Sequence, residues 1–425
     1  MTAGLLRRHR DFRLLWGSEV AEKLGAAATS MTMPLAAVSL LNASTFQVSL
    51  LAAATWLPWL VIGLPAGAWV DRLPRRPIML CAAAVSLALF LSIRVAAWAG
   101  LLVYGWLLAV CLLTGFAAVF FQISYTAYLP TLLATKDLAE GNAKLHGSAS
   151  AAQITGQGGG GLLVQLAGPV NGLLTNACTF AVSFVCLLNI RHREERSAPP
   201  KRPRVPLVAE VRAGLRLVAS DRWFRSYTLY GAVANLCLMG YQSILVIFLV
   251  ENVRLASGTT GALIAVSNVG GIVGAFLARR AATALGTGRA TLAFAILVPL
   301  PILLVPLTFP GPGMVLCAVG GASAAAAVVA NNVIKAGFQQ RYCPPDLLGR
   351  LYASSSFLNY GTLPIGALLA GGLGTALGVR PAMWILVSGV PLAGLILLCS
   401  PIRHHRDLPD QPRQTDLVET TRIQA

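Results

Sequence analysis

Charge is what this sequence lacks. Only 12% of its 425 residues are charged, and acids are scarcest, with sixteen Asp and Glu against 33 Lys and Arg. A soluble chain carries about a quarter charged residues, so a soluble globular protein is excluded. Eight cysteines are scattered with no C-x-x-C and no metal-ligand spacing, so they read as small apolar packing residues and no metal or cofactor is expected. No G-x-x-x-x-G-K-[ST] phosphate loop occurs, which removes transport driven by such a nucleotide site.

What is present is apolar length. Hydrophobic residues make up 56% of the chain. They fall into runs of about 20 residues, each able to cross a hydrocarbon core of ~30 Å as a helix. Twelve spans are predicted near 14–41, 47–69, 78–98, 101–123, 147–167, 170–190, 226–250, 259–279, 290–308, 313–335, 351–377 and 381–400. The expected class is an all-α polytopic membrane protein. The first run is too long for a signal peptide and no small-residue cleavage site follows it, so it reads as a retained helix. Arginine outnumbers lysine, and Ala and Gly abound, as in high-GC bacteria.

The net charge of +17 is a topology signal, not a nucleic-acid one. Of the 33 Lys and Arg, 29 fall in the termini or in alternate loops, two in the opposite loops (Arg254, Arg380) and two inside spans (Lys23, Arg94). Positive charge concentrates on the cytoplasmic side. Both termini are therefore expected in the cytoplasm, with the chain in the cell membrane, its partners lipid and a small molecule, and no nucleic acid.

Four segments follow: a six-helix half over 1–190, a linker over 191–225, a second six-helix half over 226–402 and a disordered tail over 403–425. The linker opens charged and Pro-rich, then places Leu207, Val208, Val211, Leu215 and Val218 at helical spacing, which predicts an interfacial amphipathic helix. "GAWVDR" (67–72) is echoed by "GAFLAR" (274–279), and "DLAEGNA" (137–143) by "DLLGRLYA" (346–353), at offsets of 207 and 209 residues. Two matches at nearly one offset support a repeat, and paired six-helix halves are a common transporter architecture.

The loop after the second span reads "GLPAGAWVDRLPRRP" (63–77). Gly63 and Gly67 share a helix face, where small residues let a neighbour approach closely. Asp71 sits at the membrane edge, where a carboxylate can face a helix N-terminus. Arg72, Arg75 and Arg76 can pair with acids of adjacent loops, Asp137 and Glu140 being the nearest by topology. The set reads either as a latch that breaks and re-forms or as a solvated anchor. Its pattern G-x-x-x-D-R-x-x-R-R resembles the signature loop of the major facilitator superfamily, with Pro74 where many members have glycine. The likeness extends through "DFRLLWGSEVAEKLG", "YTAYLPTLL", "EGNAKLHGSASAAQITG", "GGLLVQLAG" and "LLGRLYASSSFLNYGTLPIGALLAGGLG". Together these look like the bacterial twelve-span drug-efflux branch that includes macrolide and siderophore exporters. That resemblance implies the latch reading, two pseudo-symmetric six-helix bundles, and an alternating-access exporter that is usually a proton antiporter; a monomer is expected.

Three further positions depart from the pattern. Gln157 replaces a proline in the span-five motif, although Gly156, Gly158, Gly159, Gly160 and Gly161 keep the helix thin and bendable, with span eleven as the expected partner. Ala26 replaces an acid in span one, and Ser356 an arginine in span eleven.

Ion coupling needs a titratable group within the membrane. Among the sixteen acids only Glu19 and Glu22 fall in a span, with Lys23 beside them. Intramembrane ionisable residues are functional candidates, though this trio also fits a snorkelling collar. If the helix starts near Phe12, Glu22 sits ~15 Å deep, and Glu22 is the expected coupling carboxylate, with Glu19 and Lys23 tuning it. The histidines (His9, His146, His192, His404, His405) all lie at the cytoplasmic side, which argues against a membrane-embedded enzyme. Candidate cavity residues are Gln122, Tyr125, Asn235, Tyr241, Gln242, Asn268, Asn331, Asn359 and Tyr360, each also able to serve as a helix–helix hydrogen bond. So apolar a cavity favours an amphiphile over a sugar phosphate. Uptake, or a non-transporting sensor or scaffold, are the competing readings.

Overall fold

The computed structural model describes residues 5–70, 73–192 and 215–409. Within them twelve long helical segments follow one another: α1 (Arg10–Leu41), α2 (Thr45–Val70), α3 (Arg75–Trp98), α4 (Tyr104–Leu132), α5 (Thr135–Ala167), α6 (Pro169–Leu188), α7 (Arg222–Asn252), α8 (Ser257–Leu285), α9 (Thr287–Leu307), α10 (Met314–Tyr342), α11 (Pro345–Leu377) and α12 (Val379–Leu398). Eleven of the described segments are long and apolar enough to cross a membrane. The exception is α5, whose 33 residues include "GNAKLHGSASAAQITGQGGGG". Its polar residues Asn142, His146, Ser150, Gln153 and Thr155 are exposed.

Several helices run past the apolar windows. α4 continues from 123 to Leu132, α5 starts at Thr135 and not near 147, and α10 continues from 335 to Tyr342. Hydropathy marks where lipid ends, while backbone hydrogen bonding carries a helix on into the polar layer. α9 is irregular: an α-helical start gives way to a π turn (Ala293–Leu297) and a 3₁₀ stretch (Leu300–Leu307). Pro299, Pro301 and Pro306 remove the amides a regular helix needs there.

The chain divides into two compact units. One holds 1–202 with 246–265, the other 203–245 with 266–425. In the first, α1 packs on α5 and α6, α2 on α4, and α3 on α4 and α6. Its core gathers Leu5, Phe12, Leu15, Met79, Phe121 and Tyr128. The end of α7 and the first turns of α8 belong to this unit, with Val246 packed on Met31, Leu35 and Val164. In the second unit α10 and α12 pack on α9, and α11 on α12. Its core centres on Trp223, Phe224, Tyr227, Phe338 and Tyr342, whose rings stack, tilt or meet edge to face.

Two turns carry a structural echo of the repeat. Gly168 joins α5 to α6 at φ 83°, ψ 163°, and Gly378 joins α11 to α12 at φ 90°, ψ 158°. A side chain is strained at such positive φ. They lie 210 residues apart (378 − 168), close to both sequence offsets.

Of the linker helix, Leu207, Val208 and Val211 lie outside the described residues. Residues 215–220 are helical, and Val218 is buried in the second core. The tail departs from the disorder expected from 403. Residues 401–404 form a 3₁₀ turn, the Arg406 carbonyl accepts from the Gly288 amide (2.9 Å), Asp407 accepts from the Thr287 amide (2.9 Å), and Leu408 is buried. These contacts satisfy amides at the start of α9, which lack partners within their own helix. Residues 410–425 lie outside the described set.

Candidate functional site

Burial and hydrogen bonding separate the three ionisable residues of α1. The helix carries Ser18, Glu22, Gly25 and Thr32 along one stripe, and that stripe packs on α6. Ser18 Oγ meets Ser183 Oγ at 2.8 Å, Gly25 lies against Thr179, and Asn176 Nδ2 donates to Thr32 Oγ1 at 3.3 Å. Glu22, one turn from Ser18 and from Gly25, is therefore held inside the first unit. It is 9% exposed and its Oε2 has no hydrogen-bond partner. Glu19 and Lys23 occupy the next stripe, toward α4. Lys23 Nζ lies 3.4 Å from Glu19 Oε1 and donates to Gln122 Oε1 at 2.6 Å. Glu19 is 4% exposed, and its Oε2 is unpartnered too. Lys23 thus bridges Glu19 to α4 and makes no direct ion pair with Glu22, because residues four apart meet on a helix and adjacent ones do not. Nearby, Trp16 Nε1 donates to Ser148 Oγ of α5 (3.1 Å). α1 thus holds two enclosed carboxyls with spare acceptors, one of them paired with a lysine.

The glycines of α5 serve two neighbours. A methyl on Gly156 would lie 2.7 Å from the Leu24 carbonyl oxygen of α1, and one on Gly160 3.2 Å from that of Ala28. On the other side, a methyl on Gly161 would lie 2.5 Å from the Ser257 carbonyl oxygen and 2.8 Å from the Gly261 Cα. Gly158 faces Ala265, and Gly159 opens to space. The Gly258 amide donates to Gln165 Oε1 at 3.0 Å. Within the first unit the other partner of the run is thus the start of α8. Small residues on both helices let the backbones approach.

The signature loop is described in part, since Asp71 and Arg72 lie outside the described residues. Within the described residues no neighbouring helix approaches Gly63 or Gly67 closely. Among the described residues, a Cβ on Gly67 would meet nothing within 4 Å, and one on Gly63 only its own helix at Trp59. Nor does Arg76 pair with Asp137 or Glu140. It donates through Nε to the Leu187 carbonyl (3.0 Å) and through Nη2 to the Leu188 carbonyl (2.8 Å), at the end of α6. Helix C-termini present unsatisfied carbonyls and partial negative charge, a ready partner for a guanidinium. Asp137 instead lies 3.9 Å from His9, and Glu140 lies 3.5 Å from Lys144 and accepts from the Leu5 amide. Arg75 starts α3.

The cavity candidates sort by exposure. Gln122 holds Lys23. Tyr125 and Tyr241 are buried, the former stacked on Phe121. Asn235 Nδ2 donates to Asn359 Oδ1 at 3.2 Å, tying α7 to α11, and Asn331 Nδ2 donates to Tyr230 Oη at 3.2 Å, tying α10 to α7. Gln242 and Tyr360 are exposed, and Asn268 is half-buried. Lys335 escapes sequence reasoning because hydropathy sets the span's end on it; the structure puts it within α10. Its signal is the helix-forming run "AGFQQRY" that follows. Among the described residues no cluster of three or more His, Cys, Asp and Glu could hold a metal.

A family model described as "Transmembrane secretion effector" matches residues 5–421. The chain belongs to this family, a branch of the major facilitator superfamily. It is similar to proteins named multidrug efflux pump Tap. That of Mycobacterium tuberculosis is 28% identical over 391 residues, covering 87% of this chain and 88% of the relative. That of Mycolicibacterium fortuitum is 29% identical over 393 residues, covering 87% and 91%. Among solved structures, a mutant of the nucleoside transporter NupG superposes with a TM-score of 0.76 at 11% identity, covering 92% of this chain and 99% of that one. A bacterial homologue of the iron transporter ferroportin, in an inward-facing state, gives 0.71 at 16% identity, covering 93% and 99%. At such identities the likeness speaks to the fold, which is the major facilitator fold. Membership makes the chain a multi-pass membrane transporter and not an enzyme.

Proposed function

We propose that this family member is a secondary exporter of hydrophobic and amphiphilic small molecules, working as a monomer by alternating access and driven by proton antiport. One observation carries the reading: α1 encloses two carboxyls, Glu19 and Glu22, with Lys23 bridging the first to Gln122. Enclosed ionisable groups are costly within a membrane, so acids kept there in a chain so poor in them support a functional role over a snorkelling collar. The mycobacterial relatives named multidrug efflux pumps support the direction and the breadth of substrate. The charge distribution supports cytoplasmic termini and residence in the cell membrane. The loop with Asp71 is the latch of the cycle, and the glycines of α5 form a sliding face against α1 and the start of α8.

The test is a panel of hydrophobic and amphiphilic drugs and dyes in an efflux-deficient bacterium, with and without an uncoupler. Expression is expected to lower accumulation of several compounds, and the uncoupler to abolish the effect. Raised accumulation would reverse the direction to uptake. An unchanged panel would favour a sensor or scaffold.

A further inference from the structure

Lys335 sits within α10, about 10 Å along the axis from the helix end at Tyr342. It shares its stripe with Ala324, Asn331 and Tyr342, all buried, and turns away from the exposed apolar residues Val319 and Val333. It is itself half-buried. An ionisable side chain within a membrane protein ordinarily pairs with another. Among the described residues no carboxylate pairs with Lys335. The second unit's Asp221 is taken by the Trp223 and Phe224 amides and by the Tyr342 hydroxyl, and Asp407 by the start of α9.

Its surroundings add polar capacity. One turn away, Asn331 Nδ2 donates to Tyr230 Oη, so the phenol accepts there and its own O–H remains to donate. Asn331 Oδ1 is buried with no partner. An ammonium with three donors, a phenol donor and an idle amide acceptor thus lie within about one turn of α10 in the second unit, with no anion of the described residues among them. We propose that Lys335, aided by Tyr230 and Asn331, binds the anionic group of an amphiphilic substrate, a carboxylate on an apolar body. This rests on the exporter reading and narrows its substrate class: the apolar walls hold the body and Lys335 selects the charge.

The probes are a dansyl-labelled long-chain carboxylic acid and its methyl ester, titrated at neutral pH onto the full-length protein in phosphatidylcholine nanodiscs. The wild type is expected to bind the acid about tenfold more tightly than the ester, as befits a charge-assisted contact. Lys335→Gln should bring the acid-to-ester ratio to about one, and Lys335→Arg should restore most of it. The conservative variant and an unchanged size-exclusion profile show that the loss is not misfolding. A wild type that binds acid and ester alike while exporting the dye panel would overturn the anion site and leave the exporter reading standing. If the ratio persists in Lys335→Gln, the anion is held elsewhere and the assignment is wrong. Displacement of the acid by added phosphatidylglycerol would give the site to a lipid headgroup and also overturn it. If neither probe binds and the panel is not exported, the exporter reading fails and this inference with it.

Discussion

Gly161 offers the sharpest local test of how α5 works. Its missing side chain lets α5 lie directly on the first turns of α8. The Cβ of an alanine would fall 2.5 Å from the Ser257 carbonyl oxygen and 2.8 Å from the Gly261 Cα. Both obstacles are backbone, so no flexible side chain can swing away, and the helices must separate. Overpacking of this kind costs about 1–3 kcal/mol, which shifts a two-state ratio by roughly 5- to 150-fold. Two turns of contact would loosen together, including the bond from the Gly258 amide to Gln165. Gly159, two residues away, opens to space, so Gly159→Ala should change nothing by sterics. The assay is oxidative cross-linking of Gln165→Cys with Gly258→Cys, with the exposed Cys81, Cys178 and Cys399 replaced by serine. Gly161→Ala is expected to slow cross-linking at least fivefold and to depress efflux, with Gly159→Ala at wild-type rates. Equal cross-linking in Gly161→Ala and wild type would refute the sliding-face account.

Arg76→Ala removes both donors to the end of α6 and should cost about 1.5–3 kcal/mol before solvent screening, read as a lower melting temperature in detergent; Arg76→Lys should recover only part, since an ammonium lacks the guanidinium's fork. Asp71→Asn should leave expression and insertion near wild type but abolish transport, on the expectation that its charge faces a helix N-terminus, an interaction of about 0.3–2 kcal/mol whose loss misplaces a balanced cycle; wild-type efflux would reduce the loop to an anchor. Cysteine labelling should place positions Ser44, Glu251 and Arg380 outside and Arg75, Lys201 and Arg341 inside; labelling of the 191–225 linker from outside would break the two-half topology.

Much of the fold was legible because lipid imposes a simple rule, that apolar length spells a span. Every predicted span corresponds to a described helix. What escaped lay where that rule stops. The polar ends of α4, α5 and α10 carry no hydropathy signal, so Lys335 counts with the loop charges in sequence when it stands within a helix. Arg76 reads as a loop cation in search of an acid, yet its partners are carbonyls that sequence does not display. On α1 the spacing of Glu19, Glu22 and Lys23 brought the three to one side of the helix. Their division into an α6-facing acid and a lysine-bridged acid depended on Gln122, 99 residues further along the chain. Likewise the glycine run announced a thin face, while only packing revealed that it serves α1 on one side and the start of α8 on the other.

The central claim is that a proton crosses by way of the acids of α1, and the direct measurement is substrate movement in proteoliposomes with an imposed pH gradient. Glu22→Gln keeps the shape of a side chain that no lysine holds and removes its proton site. The account predicts that gradient-driven transport vanishes in Glu22→Gln while substrate binding and substrate exchange survive. Loss in Glu19→Gln with persistence in Glu22→Gln would move the role to the lysine-bridged acid. Gradient-driven transport at the wild-type rate in the Glu19→Gln, Glu22→Gln double variant would contradict the account outright.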